Sequence, residues 1–200
     1  MKSLSLAKPH LLIVVGVPGS GKSFFAEKFA DTFCAPFISF NTLRTQIIAD
    51  PMYDRGEYEV LSRVATYILD ETLKTKQTIV LEAQGATKTE RLELAKKARK
   101  SGYEPLLVWV QVDKPTAKKR SIGRTRQASE RMTAEQHATV LDRFTPPTDS
   151  EKYVAISGKH TSASQARVIL KHLAVPRASA PVPVAERPIE PARRSNITIN

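Results

Sequence analysis

Residues 10–23 read HLLIVVGVPGSGKS and decide the fold, because an apolar run passes directly into a glycine-rich loop. The run from Leu11 to Val15 has the length and the unbroken apolar character of a strand buried on both faces of a parallel sheet. The stretch from Gly16 to Ser23 matches the phosphate-loop pattern G-x-x-x-x-G-K-[ST] and opens the first predicted helix. A strand before this loop and a helix after it are the context that the pattern requires.

The residue types in this loop predict how it would hold a nucleotide. Glycines let backbone N–H groups converge on phosphate oxygens, and the start of the helix adds the positive end of its dipole. Lys22 is predicted to reach the β and γ phosphates, and Ser23 is predicted to hold Mg²⁺. ATP and Mg²⁺ are thus the expected cofactors, and the predicted binding residues are Gly16, Pro18, Gly19, Ser20, Gly21, Lys22 and Ser23.

Predicted strands and helices alternate along the chain. Apolar runs predict further strands at Phe37 to Phe40, Thr78 to Leu81, Leu106 to Val112 and Tyr153 to Ile156. Helical patterns cover Lys22 to Phe33, Thr42 to Ala49, Glu57 to Lys76, Thr89 to Lys100, Thr116 to Gly123, Thr133 to Phe144 and Ser164 to Leu173. This alternation predicts an α/β, three-layer P-loop NTPase or kinase fold with a five-stranded, mainly parallel sheet.

Two side chains at the ends of predicted strands are candidates for catalysis, because the carboxyl ends of the strands carry the ligand site in such domains. Arg44 follows the second strand and is predicted to clamp an acceptor phosphate or the transferred group. Glu82 ends the third strand and is predicted to hold Mg²⁺ through water or to take the acceptor proton. The alternative for Glu82 is an ordinary surface glutamate at a strand end.

A basic segment after the fourth strand is a candidate lid. Arg120 and Arg124 are spaced to share one helix face, and Arg126 lies just beyond them. On a segment able to close over the site, these arginines would neutralise the charge that spreads over phosphate oxygens in the transition state. The alternative is a basic helix face in contact with solvent.

Composition limits the class of protein. The chain has 31 lysines and arginines against 20 aspartates and glutamates, a formal net charge of +11, which favours an anionic partner such as a nucleotide or nucleic acid. No apolar run has the length of a membrane-spanning helix, so no membrane partner is expected. The single cysteine, Cys34, excludes an intrachain disulfide, and a cytoplasmic location is therefore expected. The phosphate loop predicts an ATP-binding domain over residues 1–173, and a shift in composition at Ala174 predicts a proline-rich, flexible, basic tail over residues 174–200.

Several stretches together resemble a known family, the small P-loop kinases of the AAA-like ATP-binding group. They are the phosphate loop, the Asn41-x-x-Arg44 stretch, VLEAQGATKTER at residues 80–91 and RMTAEQHATVLDRFTPP at residues 131–147. This group includes the 5′-kinase domain of polynucleotide kinase and, more distantly, zeta toxins. The resemblance implies transfer of the γ-phosphoryl of ATP to a hydroxyl of a small molecule or a nucleic-acid 5′ end. It also implies an acceptor-side role for Arg44 and lid roles for Arg120, Arg124 or Arg126.

The chain departs from the family pattern at the expected general base. The resemblance places an aspartate three residues before the acceptor-side arginine, where this chain has Asn41, whose amide accepts no proton at neutral pH. Glu82 is a candidate to take over that role. Three functions therefore stay open: a kinase, a nucleotide-dependent binding module or slow ATPase without an efficient acceptor reaction, and a nucleic-acid-binding protein.

Overall fold

The computed structural model describes residues 8–82, 85–123 and 132–174 of the chain. Its centre is a parallel sheet of five strands in the order β2-β3-β1-β4-β5. The strands are β1 (His10–Val15), β2 (Phe37–Ser39), β3 (Ile79–Glu82), β4 (Glu104–Gln111) and β5 (Val154–Ser157). The predicted α/β fold is confirmed, and every strand pairing in the described residues is parallel.

Helices connect the strands on both faces of the sheet. They are α1 (Lys22–Phe33), α2 (Phe40–Ile47), α3 (Arg55–Leu73), α4 (Lys88–Lys100), α5 (Lys114–Ile122), α6 (Ala134–Arg143) and α7 (Ser162–Ala174), with a short 3₁₀ helix at Asp149–Glu151. Within the described ranges, no helix is long and apolar enough to cross a membrane. The chain thus winds through three layers, as the alternation of strand and helix patterns predicts.

Two apolar cores lie on opposite faces of the sheet, and β1 contributes to both. Leu11, Ile13 and Val15 pack with the side chains of α3 and α4. Leu12 and Val14 pack on the other face with α1 and α7. Burial on both faces explains why β1 is apolar at every position from Leu11 onward, without the alternation of a half-exposed strand.

Capping side chains move two helix starts away from their predicted positions. Phe40, predicted to end the second strand, is the first residue of α2 because the Ser39 hydroxyl accepts a hydrogen bond from the Thr42 backbone N–H at 3.4 Å. Asp54 caps α3 in the same way through the Glu57 N–H at 2.8 Å. At the other end of the chain, α7 includes Ala174, the first residue of the predicted tail; residues 175–200 lie outside the described part.

The order of the strands in the sheet determines where the candidate site lies. Because β1 lies between β3 and β4, the loop that leaves β1 emerges beside the carboxyl ends of both neighbours. Leu11 pairs with Ile79 in register, so Val15 and the residue at the end of β3, Glu82, reach the same edge of the sheet. Residues that follow these strands in sequence are therefore brought together at the edge where α/β proteins bind ligands.

Candidate nucleotide and acceptor site

The phosphate loop requires glycine where it approaches α5. Gly19 has a φ of +79°, and a Cβ there would lie 2.1 Å from the carbonyl oxygen of Ala117. Gly21 has a φ of +94° and serves as the N-cap of α1 without a side-chain hydrogen bond, so the first N–H groups of that helix have no capping side chain. Such N–H groups at a helix start are a binding site for phosphate oxygens.

The Ser20 hydroxyl lies inside the phosphate loop. Ser20 is fully buried, and its Oγ has no hydrogen-bond partner among the described residues. A buried hydroxyl without a partner costs free energy, and such groups often mark a bound ion, water or ligand. Because this oxygen is closed off from the surface, the glycine geometry and the start of α1 are what fit the ATP phosphates that the loop pattern predicts.

Glu82 is the centre of the site. Its carboxylate is almost fully buried and accepts hydrogen bonds from the hydroxyls of Ser23 at 3.1 Å and Ser39 at 2.8 Å. Lys22 Nζ lies 3.7 Å from Glu82 Oε1. The carboxylate thus contacts the two phosphate-loop residues predicted to bind metal and phosphate, and this geometry argues against the surface-glutamate alternative. A serine hydroxyl beside a carboxylate is an oxygen donor set that fits Mg²⁺.

Asn41 connects this centre to the acceptor side. Its Nδ2 donates to Ser23 Oγ at 3.0 Å, and its Oδ1 accepts from Arg44 Nη1 at 3.3 Å. The amide therefore lies where the family resemblance expects a carboxylate and uses both of its polar ends within the site. It fills the space of the expected base without supplying a group that takes a proton.

Arg44 is buried and its charge is compensated inside the protein. Its Nε donates to Glu57 Oε1, and its guanidinium lies 4.3 Å from the centre of the Tyr53 ring. Glu57 Oε2 in turn accepts from the backbone N–H groups of Met52 and Tyr53, at 2.8 and 2.9 Å. Arg44, predicted to clamp a phosphate, thus lies beside Asn41 with its charge already paired to Glu57.

A cavity of about 110 Å³ lies beside these residues. The rings of Phe40, Tyr53 and Tyr58 line it, and Phe40 and Tyr58 stack with their centroids 5.3 Å apart. Its charged lining residues in the described part of the chain are Lys22, Arg44, Glu82 and Arg143. Burial, the hydrogen bond to Glu90 and its negative charge raise the pKa of Tyr58, whereas Arg143 acts in the opposite direction. An aromatic wall with polar groups at one end is typical of a small-molecule site.

Sequence reasoning missed Arg143 as a site residue. It is the last residue of α6, where a basic side chain is expected in any case because it complements the helix dipole. Only the fold shows that its Nη2 donates to the Tyr53 carbonyl oxygen at 3.2 Å and that its guanidinium lies 4.9 Å from the Tyr58 ring centre.

Of the predicted lid arginines, Arg120 lies in the described part of the chain, and Arg124 and Arg126 lie outside it. Arg120 Nη1 donates to the Gly158 carbonyl oxygen at 3.0 Å. Gly158 itself packs on the phosphate loop, because a Cβ at this position would lie 1.9 Å from the Ser20 carbonyl oxygen. The loop after β5 and the start of the predicted lid therefore meet at the phosphate loop.

A buried ion pair holds the loop that follows β3. Arg91 donates to both carboxylate oxygens of Glu151, at 2.6 and 2.9 Å, and to the carbonyl oxygens of Gly85 and Thr145, at 3.1 and 2.8 Å. The hydrogen bond from Arg91 lowers the pKa of the Glu151 carboxyl. Because Gly85 lines the cavity, this pair fixes part of its wall from behind.

A phosphate loop between β1 and α1, facing a carboxylate at the end of β3 in a parallel sheet, defines a P-loop domain with a kinase-like fold. The chain belongs to the AAA domain family, whose family model matches residues 11–147. The sequence-based assignment to the AAA-like group is confirmed. A comparison with curated protein sequences found no match.

Solved structures share the fold. A gluconokinase from Sinorhizobium meliloti 1021 superposes with a TM-score of 0.61 at 21% identity, covering 83% of this chain and 92% of its own. The Mycobacterium tuberculosis APS kinase CysC in complex with AMPPNP and APS superposes with a TM-score of 0.62 at 16% identity, covering 83% of this chain and 98% of its own. A chain of the Pnkp1/Rnl/Hen1 RNA repair complex superposes with a TM-score of 0.57 at 18% identity, covering 70% of this chain and 45% of its own. At such identities, the likeness establishes the fold alone, including for the polynucleotide kinase resemblance.

Proposed function

We propose that this protein is a kinase that transfers the γ-phosphoryl of ATP to a hydroxyl group of a small molecule or a nucleic-acid 5′ end. The observation that carries the proposal is the position of Glu82. It contacts Lys22 and Ser23 of the phosphate loop and also lines the cavity. One carboxylate therefore joins the nucleotide side of the site to a space in which an acceptor fits.

The nucleotide side follows from the phosphate loop. The glycines and the start of α1 bind the phosphates, and Lys22 orients the β and γ groups. Ser23 and Glu82 would hold Mg²⁺, which neutralises phosphate charge when it is bound. Arg120, whose Nη1 donates to the Gly158 carbonyl oxygen next to the loop, would add positive charge from the lid side.

The acceptor side requires a proton acceptor, and Glu82 is the one carboxylate that lines the cavity in the described part of the chain. As the acceptor hydroxyl oxygen bonds to the γ-phosphorus and the bond to the β-bridging oxygen breaks, the hydroxyl proton passes to Glu82 and ADP leaves. Asn41 positions Ser23 and Arg44 through its amide instead of taking the proton. Catalysis is then mainly positioning and charge stabilisation.

A nucleotide-dependent binding module or slow ATPase is the second candidate function, and Asn41 is the observation that favours it. If Glu82 is held by Ser23 and Ser39 and serves the metal alone, the site lacks a base and transfers no phosphoryl group. The two functions differ in where the γ-phosphoryl goes, which is measurable without knowing the acceptor in advance.

The experiment follows label from γ-labelled ATP with Mg²⁺, a pool of small hydroxylated metabolites and, separately, a 5′-hydroxyl oligonucleotide. Label on an acceptor supports the kinase and identifies the acceptor class. Label only in inorganic phosphate, or nowhere despite ATP binding, contradicts it and supports the second candidate. The Lys22→Ala variant controls for a contaminating kinase, because it removes the phosphate-binding amine from this chain alone.

A further inference from the structure

We propose that the acceptor is a small hydroxylated molecule that carries an oxyanion group, a carboxylate or a phosphate, and that Arg143 binds this group. The inference rests on the proposed kinase function and adds the chemical class of its acceptor. It assigns to Arg143 the role of a specificity-determining residue.

Charge pairing around the cavity singles out Arg143. Arg44 is paired with Glu57, and Lys22 lies near Glu82 and faces the nucleotide side. Arg143 is half-buried and makes no salt bridge with any carboxylate in residues 8–82, 85–123 or 132–174. Because this guanidinium lines the cavity and has no counter-charge within those ranges, it is available to pair with an anionic group of an acceptor.

The Arg143 guanidinium is also preorganised. One nitrogen, Nη2, donates to the Tyr53 carbonyl oxygen, and the Tyr58 ring lies on its face. Its Nε and Nη1 donors make no hydrogen bond within the described residues. A planar guanidinium held in one orientation, with Nε and Nη1 still able to donate, matches the two oxygens of a carboxylate or phosphate.

Tyr53 explains why the two arginines differ. Its backbone is in the left-handed region, with a φ of +60°, which is uncommon for a tyrosine and often occurs at functional sites. Its N–H donates to Glu57, the partner of Arg44, while its carbonyl oxygen accepts from Arg143. One strained residue thus contacts both an arginine that is paired with a carboxylate and an arginine that has no carboxylate partner within the described residues.

The two groups that the proposal assigns to the acceptor lie at one cavity. Glu82 and Arg143 line the same volume of about 110 Å³, together with the stacked rings of Phe40 and Tyr58. A hydroxyl near Glu82 and an anion near Arg143 therefore belong to one compact molecule. Phosphorylation of a 5′-hydroxyl oligonucleotide in place of such a molecule is the outcome that would contradict this assignment.

The test uses two sets of acceptors, each with one open-chain polyol skeleton and an anionic or neutral end group: glycerate, glycerol 3-phosphate and glycerol, and gluconate, glucitol 6-phosphate and glucitol. Transfer of label is measured for the natural chain, Arg143→Met, Arg143→Lys and the exposed α3 control Arg63→Met. In parallel, calorimetry with ADP and Mg²⁺ present measures binding of the same compounds without turnover. Thermal unfolding verifies that each variant is folded.

We expect anionic acceptors to be preferred over their neutral partners. Arg143→Met should raise KM for the preferred acceptor about 10- to 100-fold, the effect of losing a charged hydrogen bond, and leave KM for ATP within about twofold. Arg143→Lys should restore part of the binding, and Arg63→Met should change nothing. Carboxylate and phosphate members of each set distinguish the two oxyanion sources.

Equal use of neutral and anionic acceptors, an equal effect of Arg143→Met on all of them, or phosphorylation of a 5′-hydroxyl oligonucleotide alone would overturn the inference while the kinase function stands. Binding of anions that depends on Arg143, without any transfer, would instead support the inference and contradict the kinase function. If no anionic compound is bound or phosphorylated, the inference is overturned.

Discussion

The hydroxyl of Ser23 donates to Glu82 Oε1 at 3.1 Å, across 59 positions of sequence. This contact joins the end of the phosphate loop to the end of β3, and it forms because β1 and β3 are neighbours in the sheet. Ser23 also accepts from Asn41, so a single hydroxyl lies between the carboxylate and the amide. The predicted metal ligand, the candidate base and the unusual asparagine thus form one connected cluster.

Lys22→Ala should abolish ATP turnover, because the amine that reaches the β and γ phosphates is removed. Lys22 is partly exposed, so the fold should persist and thermal unfolding should change by only a few degrees. Lys28→Ala, a partly exposed lysine of the same helix that lies outside the phosphate loop, is the control. Measurable turnover by Lys22→Ala at the level of the natural chain would mean that the phosphate loop is not the active site.

Removing the carboxylate at position 82 and adding one at position 41 tests which residue accepts the acceptor proton. Glu82→Gln should lower acceptor transfer by about 10²-fold or more, the usual contribution of a general base. Adding Asn41→Asp to that variant places a carboxylate 3.0 Å from Ser23 and should recover at least about tenfold, because it supplies the missing proton acceptor. Transfer rates of the natural chain and of both variants decide the matter. Failure of the double variant to exceed Glu82→Gln would count against a base role for this cluster.

Gly158→Ala should weaken ATP binding. The added methyl would lie 1.9 Å from the Ser20 carbonyl oxygen, so the phosphate loop or the loop after β5 must shift. We expect KM for ATP to rise about tenfold or more, since small displacements at a site are costly. Gly56→Ala, in the first turn of α3, meets only an ordinary contact at 3.5 Å and is the matched control. An unchanged KM for ATP would show that this packing is not needed for nucleotide binding.

Glu151→Gln should destabilise the fold by about 3 kcal/mol, because it leaves the Arg91 guanidinium without its buried counter-charge. Since the pKa of Glu151 is lowered from 4.5 in the folded protein, its contribution is fully present above about pH 4.5 and is lost as the pH falls through the lowered value. Urea unfolding at pH 3 to 7 measures this. The difference between the natural chain and Glu151→Gln should be constant near neutral pH and shrink in acid. A difference that persists unchanged at the lowest pH would contradict the assignment.

The parts of the fold that the sequence predicts well are those with local signals. The strand-loop-helix unit at residues 10–23 was predictable because its apolar run, glycines and helix start all indicate the same structure. Helix starts were less predictable at Phe40, where the apolar pattern favours a strand and the Ser39 cap decides for a helix. Local competition of this kind is resolved by a single side-chain hydrogen bond.

The sequence predicted which residues lie at the site where they follow the ends of strands, but it did not predict the ion pairs and hydrogen bonds that these residues make. Glu82 could be placed because parallel strands bring their carboxyl ends to one edge. The pairing of Arg44 with Glu57 could not, because it depends on the left-handed turn at Tyr53, for which the sequence has no glycine or asparagine signal. Arg143 was hidden for a similar reason, since a basic residue at a helix end has an ordinary explanation.

The fate of the γ-phosphoryl group, compared between the natural chain and Glu82→Gln at equal ATP occupancy, tests the central claim most directly. The natural chain should place the label on a hydroxyl acceptor, and Glu82→Gln should bind ATP but lose acceptor labelling. An exposed substitution in α1, Glu27→Gln, should behave as the natural chain does. Release of the label only as inorganic phosphate by the natural chain, or acceptor labelling that survives in Glu82→Gln, would contradict the account.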